Sequence, residues 1–543
     1  MIAAAVLAMA VLVVACGGND GPSTSPSETA PITNLTLAPP ETVTTGGTLK
    51  FGLDAETTTG WDPANSQWAA SGTIVARSIF DRLAEWDANS VAQPNLASAI
   101  TSNADLTVWT ITLRPGIVFH NGEPLNAQVV KLNLDRAKTS VLLGAALSSF
   151  MDTTEVVDDL HVVVKAKKPW STFPSSMATQ AGTMAAPEQL TSSTPAQDPI
   201  GTGPFVFENW VPDNKLTVSR NPSYWKTDGT GQQLPYLDAI EFSVLSDQSS
   251  RGAALQSGSV DAINTFEPEL INRFIPEAEQ GNVQMISNAN AEEATQFVGL
   301  NTTKAPFDDP LARRLLATGL DTELISQTQY FGLYPPSTGF FPTDSPYYTE
   351  TSYPQYDPAL ATQMAQEYEQ KYGHPLQFTL NLPSSPQFKS IGEAAQAQAA
   401  QFGTEVTLNL VDQATLIVDA LTGNFEATGF ITFGEPPIDQ IFISQDTLQP
   451  VGKLSLNFTR YSDPEIQTAL ATIQSTQDEA VQIEQWKIIQ ERMAQDLNFI
   501  FVVRNRTAVV YATDVWGLAD ATLPGGGPVK PTTSPFLAWA WMT

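Results

Sequence analysis

Three histidines (His120, His161 and His374) and one cysteine (Cys16) are the only imidazoles and the only thiol in this chain of 543 residues. A single cysteine rules out a disulfide within the chain, and four such scattered residues leave no zinc cluster of familiar spacing. No Gly-x-x-x-x-Gly-Lys-Ser/Thr loop is present, nor His-Glu-x-x-His, nor Gly-x-Ser-x-Gly, nor a Gly-x-Gly-x-x-Gly that opens a helix. A Ser-His-Asp arrangement would need a chance meeting in space. The 57 acidic residues supply endless carboxylate pairs, so their abundance says nothing about glycoside hydrolysis, and singly they read as solvated surface. The expectation is a protein that is not an enzyme and needs no metal and no cofactor.

Binding is better served than catalysis. The chain has 11 Trp, 12 Tyr and 26 Phe, most of which must be core. Trp61, Gln67 and Trp68, however, sit in the polar segment Thr57–Thr73 just after the first strand of the mature chain. Loops that leave strand ends in α/β folds are where ligands bind, and flat amphipathic rings there could line a cleft for an extended solute. With 27 Lys+Arg against 57 Asp+Glu the net charge is −30, which argues against nucleic acid as a partner. Hydrophobic residues at 42% and charged residues at 15% fit a packed globular chain, long enough for about three domains of ~150 residues or two large lobes.

Cys16 stands where an unbroken apolar or small run, Ile2 to Ala15, ends. That run is short for a permanent span, which takes about 20 apolar residues, and right for a signal-peptide core. Val13-Val14-Ala15-Cys16-Gly17 resembles the bacterial lipobox, in which the cysteine is acylated through its sulfur and becomes the first residue of the mature chain. Residues 1–15 are therefore expected to be a lipoprotein signal peptide, and the Ser/Thr/Pro-rich stretch 16–48 a flexible tether. No Lys or Arg precedes the run and the first basic residue is Lys50, which departs from the usual positive amino-terminal region and leaves open where the natural start lies.

Strands and helices mix from Leu49 onward. Trp109, Ile111 and Leu113 alternate with polar neighbours, the period of a half-buried strand, and Ile240, Phe242 and Val244 mark another. Pro115-Gly116 and Asn121-Gly122 are turn signals, and Thr154–Lys165 reads as a hairpin around Asp158-Asp159. A helix starts at Asp309-Pro310. Ser462-Asp463-Pro464-Glu465 reads as a capping box ahead of Ile466, Leu470 and Ile473. A further helix carries Trp486, Ile489, Met493 and Leu497, and the strand Phe499–Val503 follows. Gly201 and Gly203 suggest a tight turn, and the tail from Gly525 to Trp541 is loop-like and aromatic. The class is α/β or α+β.

Seven segments in collinear order resemble the family 5 extracellular solute-binding proteins of ABC importers, the oligopeptide-, dipeptide- and nickel-binding type. They are Trp109 to Ala127 with its Phe119-His120-Asn121-Gly122-Glu123-Pro124 core, Pro199 to Phe205, Arg220 to Trp225, Leu234 to Ile240, Ala254 to Asp261, Asn301 with Pro306 to Asp309 and Arg313, and Tyr461 to Glu465. These signature residues are expected to shape the scaffold and not to touch solute. The resemblance implies an α/β, two-lobed, periplasmic-binding-protein-like type II fold. Lobe I is expected over 49–295 and 505–543, with an extra subdomain at about 87–198, and lobe II over 296–504.

The same resemblance implies a substrate-binding component that clamps a solute between hinged lobes and hands it unaltered to membrane permease subunits. Peptides lead as solute. In peptide-binding relatives an acid near a Trp-x-x-Asp segment takes the ligand's amino terminus; here the stretch runs Phe430 to Asp439 without the Trp, so Phe433 with Glu435 or Asp439 are the candidates. Nickel is not expected, for want of histidines. The alternatives are the same fold binding an oligosaccharide or glycolipid, a role in regulating envelope synthesis, and, from another class, a secreted hydrolase. The chain is expected to act as a monomer, lipid-anchored on the outer face of the cytoplasmic membrane or in the periplasm.

Overall fold

The computed structural model describes residues 34–57, 59–140, 143–287, 294–432, 439–530 and 535–543. Two mixed sheets carry most of the chain. The seven-stranded sheet runs, edge to edge, through strands 284–287, 508–511, 262–265, 48–53, 239–244, 215–220 and 205–211. Its centre is parallel: Thr48–Leu53 pairs with Ala239–Val244 on one side and with 262–265 on the other. Leu49, Phe51 and Leu53 are buried, as are Ile240 and Phe242, and the helix Ala70–Ile79 lays Ile74, Val75 and Ile79 against the same core. That alternation of buried and half-buried positions is what the spacing of apolar residues over 240–244 calls for.

The five-stranded sheet runs through 405–411, 377–383, 427–431, 295–300 and 499–504. Strands 405–411, 377–383 and 427–431 are parallel to one another. Helices 310–319, 358–372, 386–401, 464–474 and 479–496 accompany it, and Phe297, Phe458, Phe499 and Phe501 cluster in its core. The chain passes between the two sheets twice, from strand 284–287 to 295–300 and back from 499–504 to 508–511. A separate antiparallel sheet of 97–102, 108–113, 161–166 and 151–158 has its own core around Trp109, Ile111, Leu113, Trp170 and Phe173.

Several local expectations are met in detail. Asn121-Gly122 closes a small hairpin, with Phe119 N–H donating to Glu123 O at 2.8 Å and Gly122 at φ +85°. Asp309 caps the helix Pro310–Gly319. Others are corrected. The helix Pro464–Gln474 is capped by Asp463, whose carboxylate accepts from Ile466 N–H at 2.9 Å, and not by Ser462. Pro464 has no N–H and a fixed φ, so it takes the first helical position and makes the residue before it the cap. Gly201 and Gly203 are absent from the positive-φ residues. They are small because the backbone at Ile79 presses on them: a Cβ at Gly201 would lie 2.0 Å from Ile79 O and one at Gly203 2.5 Å from Ile79 C. The end of the aromatic tail packs on the fold, with Trp541–Met542 paired to Val515–Trp516 and Trp539 buried beside Tyr224 and Tyr236.

Candidate functional site

Parallel strands end on the same edge, and in open α/β sheets ligands collect beyond their carboxyl ends. In the seven-stranded sheet the loop leaving strand 48–53 carries Trp61, Gln67 and Trp68. Trp61 is 1% exposed and packs edge-on against Trp210 at 5.8 Å, with Trp68 at 6.5 Å. Trp68 is half-buried, stacks on Phe80 at 5.9 Å and donates Nε1–H to Gly60 O at 3.1 Å. Gln67 is exposed. The structure thus brings the two tryptophans together as part of the packed wall of the first sheet, and of the three residues Gln67 is the one most open to solvent.

That loop is pinned from behind. Asp62, 3% exposed, accepts from Arg136 Nη2 at 2.6 Å, Asn65 Nδ2 at 2.8 Å and Ala64 N–H at 3.1 Å. Burial pushes the Asp62 carboxyl upward, and the hydrogen bonds of Arg136, Asn65 and Ala64 outweigh it, so its pKa lies below the ordinary carboxylate value. Gln180 Nε2 donates to Pro63 O and Ser66 O at 2.9 and 2.7 Å, and Gln189 Nε2 to Trp61 O at 3.0 Å.

Sequence reasoning missed a polar group at the strand ends. Asp54, directly after Leu53, accepts from Asn264 Nδ2 at 2.8 Å and from the Ser71 hydroxyl. Burial lifts the Asp54 carboxyl above its ordinary range against those two hydrogen bonds. Next to it Arg251, 0% exposed, pairs with Glu267, which also accepts from Thr265 Oγ1 at 2.6 Å. Asp54 and Asn264 are 210 positions apart, so only strand pairing reveals them as neighbours; the one local signal is an acid closing an apolar run.

In the five-stranded sheet the segment 432–439 leaves the carboxyl end of strand 427–431. Thr432 Oγ1 accepts from Thr295 N–H at 2.9 Å. Phe433 and Glu435 lie outside the described residues. Asp439 is 2% exposed, and the neighbouring Gln440 accepts from Gln474 Nε2. The half of the fold built on the five-stranded sheet is tied to the seven-stranded sheet and to the antiparallel subdomain at named contacts. The Tyr334 hydroxyl lies 2.6 Å from Phe266 O and 2.7 Å from Arg506 O, at the return crossover. Lys168 pairs with Asp446, and Ser171 N–H and Oγ donate to Gln474 O at 3.0 Å and Ile473 O at 2.8 Å.

The signature motifs converge elsewhere, on buried Asp81. Thr202 Oγ1 donates to its Oδ2 at 3.1 Å, Trp225 Nε1 to Oδ2 at 2.9 Å and the Tyr224 hydroxyl to Oδ1 at 3.3 Å. His120 Nε2 is 3.0 Å from Gly203 O and Asn221 Nδ2 donates to the same oxygen at 2.9 Å. Burial pulls the pKa of His120 down, against the Gly203 carbonyl and Asp81. Among the described residues no group of three or more His, Cys, Asp or Glu is arranged to hold a metal ion, and no helix is long and apolar enough to cross a membrane.

Two mixed sheets, each with three adjacent parallel strands, crossed twice by the chain and accompanied by a separate antiparallel unit, define a two-lobed α/β binding protein. The fold agrees with solved ones: a protein AgaA from A. tumefaciens R10 in complex with agropinic acid (TM-score 0.78, 22% identity, 92% of this chain and 99% of that one), and DppA from Helicobacter pylori in complex with the peptide STSA (TM-score 0.77, 19% identity, 92% and 98%). In sequence the chain is 28% identical over 465 residues to the glutathione-binding protein GsiB of Pectobacterium atrosepticum, covering 83% of this chain and 87% of that protein. Residues 91–449 match the bacterial extracellular solute-binding proteins, family 5 Middle, and the chain belongs to this family. It is a solute-binding protein of an ABC importer, in a family of transport components rather than enzymes.

Proposed function

We propose that the solute is a short peptide or peptide-like molecule, gripped between a first lobe (49–295 and 505–543, with the extra subdomain at about 87–198) and a second lobe (296–504), and released unaltered to the permease. The observation that carries this reading is that both candidate segments, 54–69 and 432–439, leave the carboxyl ends of parallel strands, one in each sheet. The similarity to a glutathione-binding protein supports a peptide-like ligand, glutathione being a tripeptide. Glu435 or Asp439 would take the ligand's ammonium group and Gln67, Trp68 and Phe433 would contribute to the walls, with Trp61, 1% exposed, packed behind Trp68. Closure then follows from a solute that touches both lobes and so stabilises the closed state. Acylation of Cys16 would hold a monomer at the membrane surface. The tether is shorter than the 16–48 expected, because Leu35 pairs with Met285, Gly46 N–H donates to Tyr236 O at 2.8 Å and Val43 packs beside the carboxyl-terminal aromatic cluster.

Native mass spectrometry of the purified full chain tests the solute class. The expected result is a co-purified set of short peptides. A bound sugar or glycolipid, or a cleft that refuses peptides added in excess, overturns it.

A further inference from the structure

A cavity of about 570 Å3 opens between the antiparallel subdomain and the carboxyl-terminal tail, in a different part of the fold from the loops after strands 48–53 and 427–431. Arg114 and Gly116 from the turn after strand 108–113, Trp225 and Lys226, and Leu523 with Trp539 from the tail line it. The volume falls within the range of small-molecule sites.

Its two cations are incompletely matched. Arg114 donates Nε–H to Asn95 O at 2.8 Å and its guanidinium carbon lies 5.9 Å from the centroid of the Trp225 ring. Its two terminal nitrogens meet no acceptor among the described residues. Lys226 is 7% exposed, yet its ammonium stands 3.7 Å from Asp81 Oδ1, an ion-pair distance beyond that of a hydrogen bond. The Asp81 carboxylate is already taken up by Thr202, Trp225 and Tyr224. Around the Lys226 ammonium stand the rings of Trp225 at 4.9 Å, Phe536 at 5.6 Å and Trp539 at 5.9 Å. A buried ammonium with one long ion pair and three aromatic neighbours is poorly compensated for its lost water. Burial lowers the pKa of both Arg114 and Lys226, as it does for any cation short of partners. In a chain of net charge −30, two cations on one cavity wall set it apart from the surface at large.

We propose that this cavity is a second ligand site, distinct from the solute cleft, which takes a small carboxylate carried on a flat apolar body. The terminal N–H groups of Arg114 hold the carboxylate in a two-pronged fashion. Lys226 adds positive charge at the back of the site, and Trp225 and Trp539 flank the body of the ligand. The reading is independent of which solute the cleft takes.

The test is a 19F NMR titration of the purified full chain with 4-fluorophenylacetate, and with 2-(4-fluorophenyl)ethanol as its uncharged counterpart. Saturable broadening by the acid is expected, with the alcohol bound at least about tenfold more weakly, since a hydrogen bond to a charged group carries that much discrimination. Arg114→Gln is expected to weaken the acid by a similar factor. Ser98→Trp, which fills the cavity from an exposed strand position, is expected to abolish binding. Thermal melts establish that both variants are folded, and Glu435→Gln should bind the acid as the parent does. No saturable binding to the parent chain, equal binding of acid and alcohol, or undiminished binding by both folded variants overturns the proposal.

Discussion

The Ser171 hydroxyl donates to Ile473 O at 2.8 Å, joining the subdomain of the antiparallel sheet to the last turn of helix 464–474. The Ser171 N–H reaches the next carbonyl, Gln474 O, and Lys168 pairs with Asp446 close by. A helix end with unpaired carbonyls and a partial negative charge suits such donors and a nearby cation. The pair is half exposed and contributes at most about 1 kcal/mol, and each Ser171 hydrogen bond about as much. Removing Lys168 and the Ser171 hydroxyl together (Lys168→Met, Ser171→Ala) should therefore weaken this contact by about 1–2 kcal/mol and speed solute release about five- to thirtyfold. Stopped-flow release of bound solute measures this; an unchanged release rate would show that the contact does not hold the lobes shut.

Asp62 gives a pH dependence of defined sign. Its folded pKa lies below the ordinary value of 3.8, so the stability it contributes is complete above that pH and is lost as pH falls from 3.8 through the folded value. Asp62→Asn should cost about 1–3 kcal/mol near neutrality, because Arg136 loses its buried partner. It should also flatten the acid limb of the stability curve. Denaturant unfolding at pH 7, 4 and 3 checks both. If the variant and parent lose stability in parallel below pH 4, Asp62 is not the group responsible.

Two glycines of the signature motifs separate close packing from turn geometry. At Gly201 a methyl group would meet Ile79 O at 2.0 Å, and backbone cannot swing aside as a side-chain tip can. Gly201→Ala should cost more than about 3 kcal/mol or prevent folding. Gly116 has φ +81° and nothing within 4 Å of an added Cβ, so Gly116→Ala should cost about 1 kcal/mol, the strain of a left-handed backbone alone. Melting temperatures of the two variants rank them, and a reversed order would refute the distinction.

What could be seen in the sequence was whatever is encoded locally. The strand at Trp109, Ile111 and Leu113 and the caps before Pro310 and Pro464 rest on residues within one turn or one strand of each other, with only the choice between Ser462 and Asp463 going astray. The hub at Asp81 was out of reach because its partners lie 121 to 144 positions away, although the motifs that supply them were visible. Trp61 shows the same limit from the other side: a tryptophan in a polar stretch looked available, and a partner at Trp210 buries it. Asp54 went unnoticed because one acid among 57 carries no mark until strand pairing places Asn264 beside it.

The two acids of the 432–439 segment can be told apart by substitution. If Glu435 takes the ligand's ammonium, Glu435→Gln should weaken peptide binding by about ten- to a hundredfold while leaving the melting temperature unchanged, since loss of a charged hydrogen bond costs about 1.5–3 kcal/mol. Asp439 is 2% exposed, so Asp439→Asn should lower the melting temperature whether or not it meets ligand. Calorimetric titration with the co-purified peptide, beside thermal melts, separates the outcomes. Full affinity in Glu435→Gln would move the role to Asp439.

Cys16→Ala tests the anchor. Thioether acylation needs the sulfur, and an acyl chain contributes about 0.8 kcal/mol per buried methylene, so a multiply acylated cysteine outweighs any attachment by a protein surface of charge −30 to an anionic bilayer. No described helix offers a substitute span. Fractionation of cells expressing the variant should therefore move the chain from membranes to the soluble fraction, with its solute binding intact because Cys16 precedes Leu35, where the chain joins the first sheet through Met285. Retention on membranes after Cys16 is removed would mean that the apolar run Ile2 to Ala15 is itself the anchor.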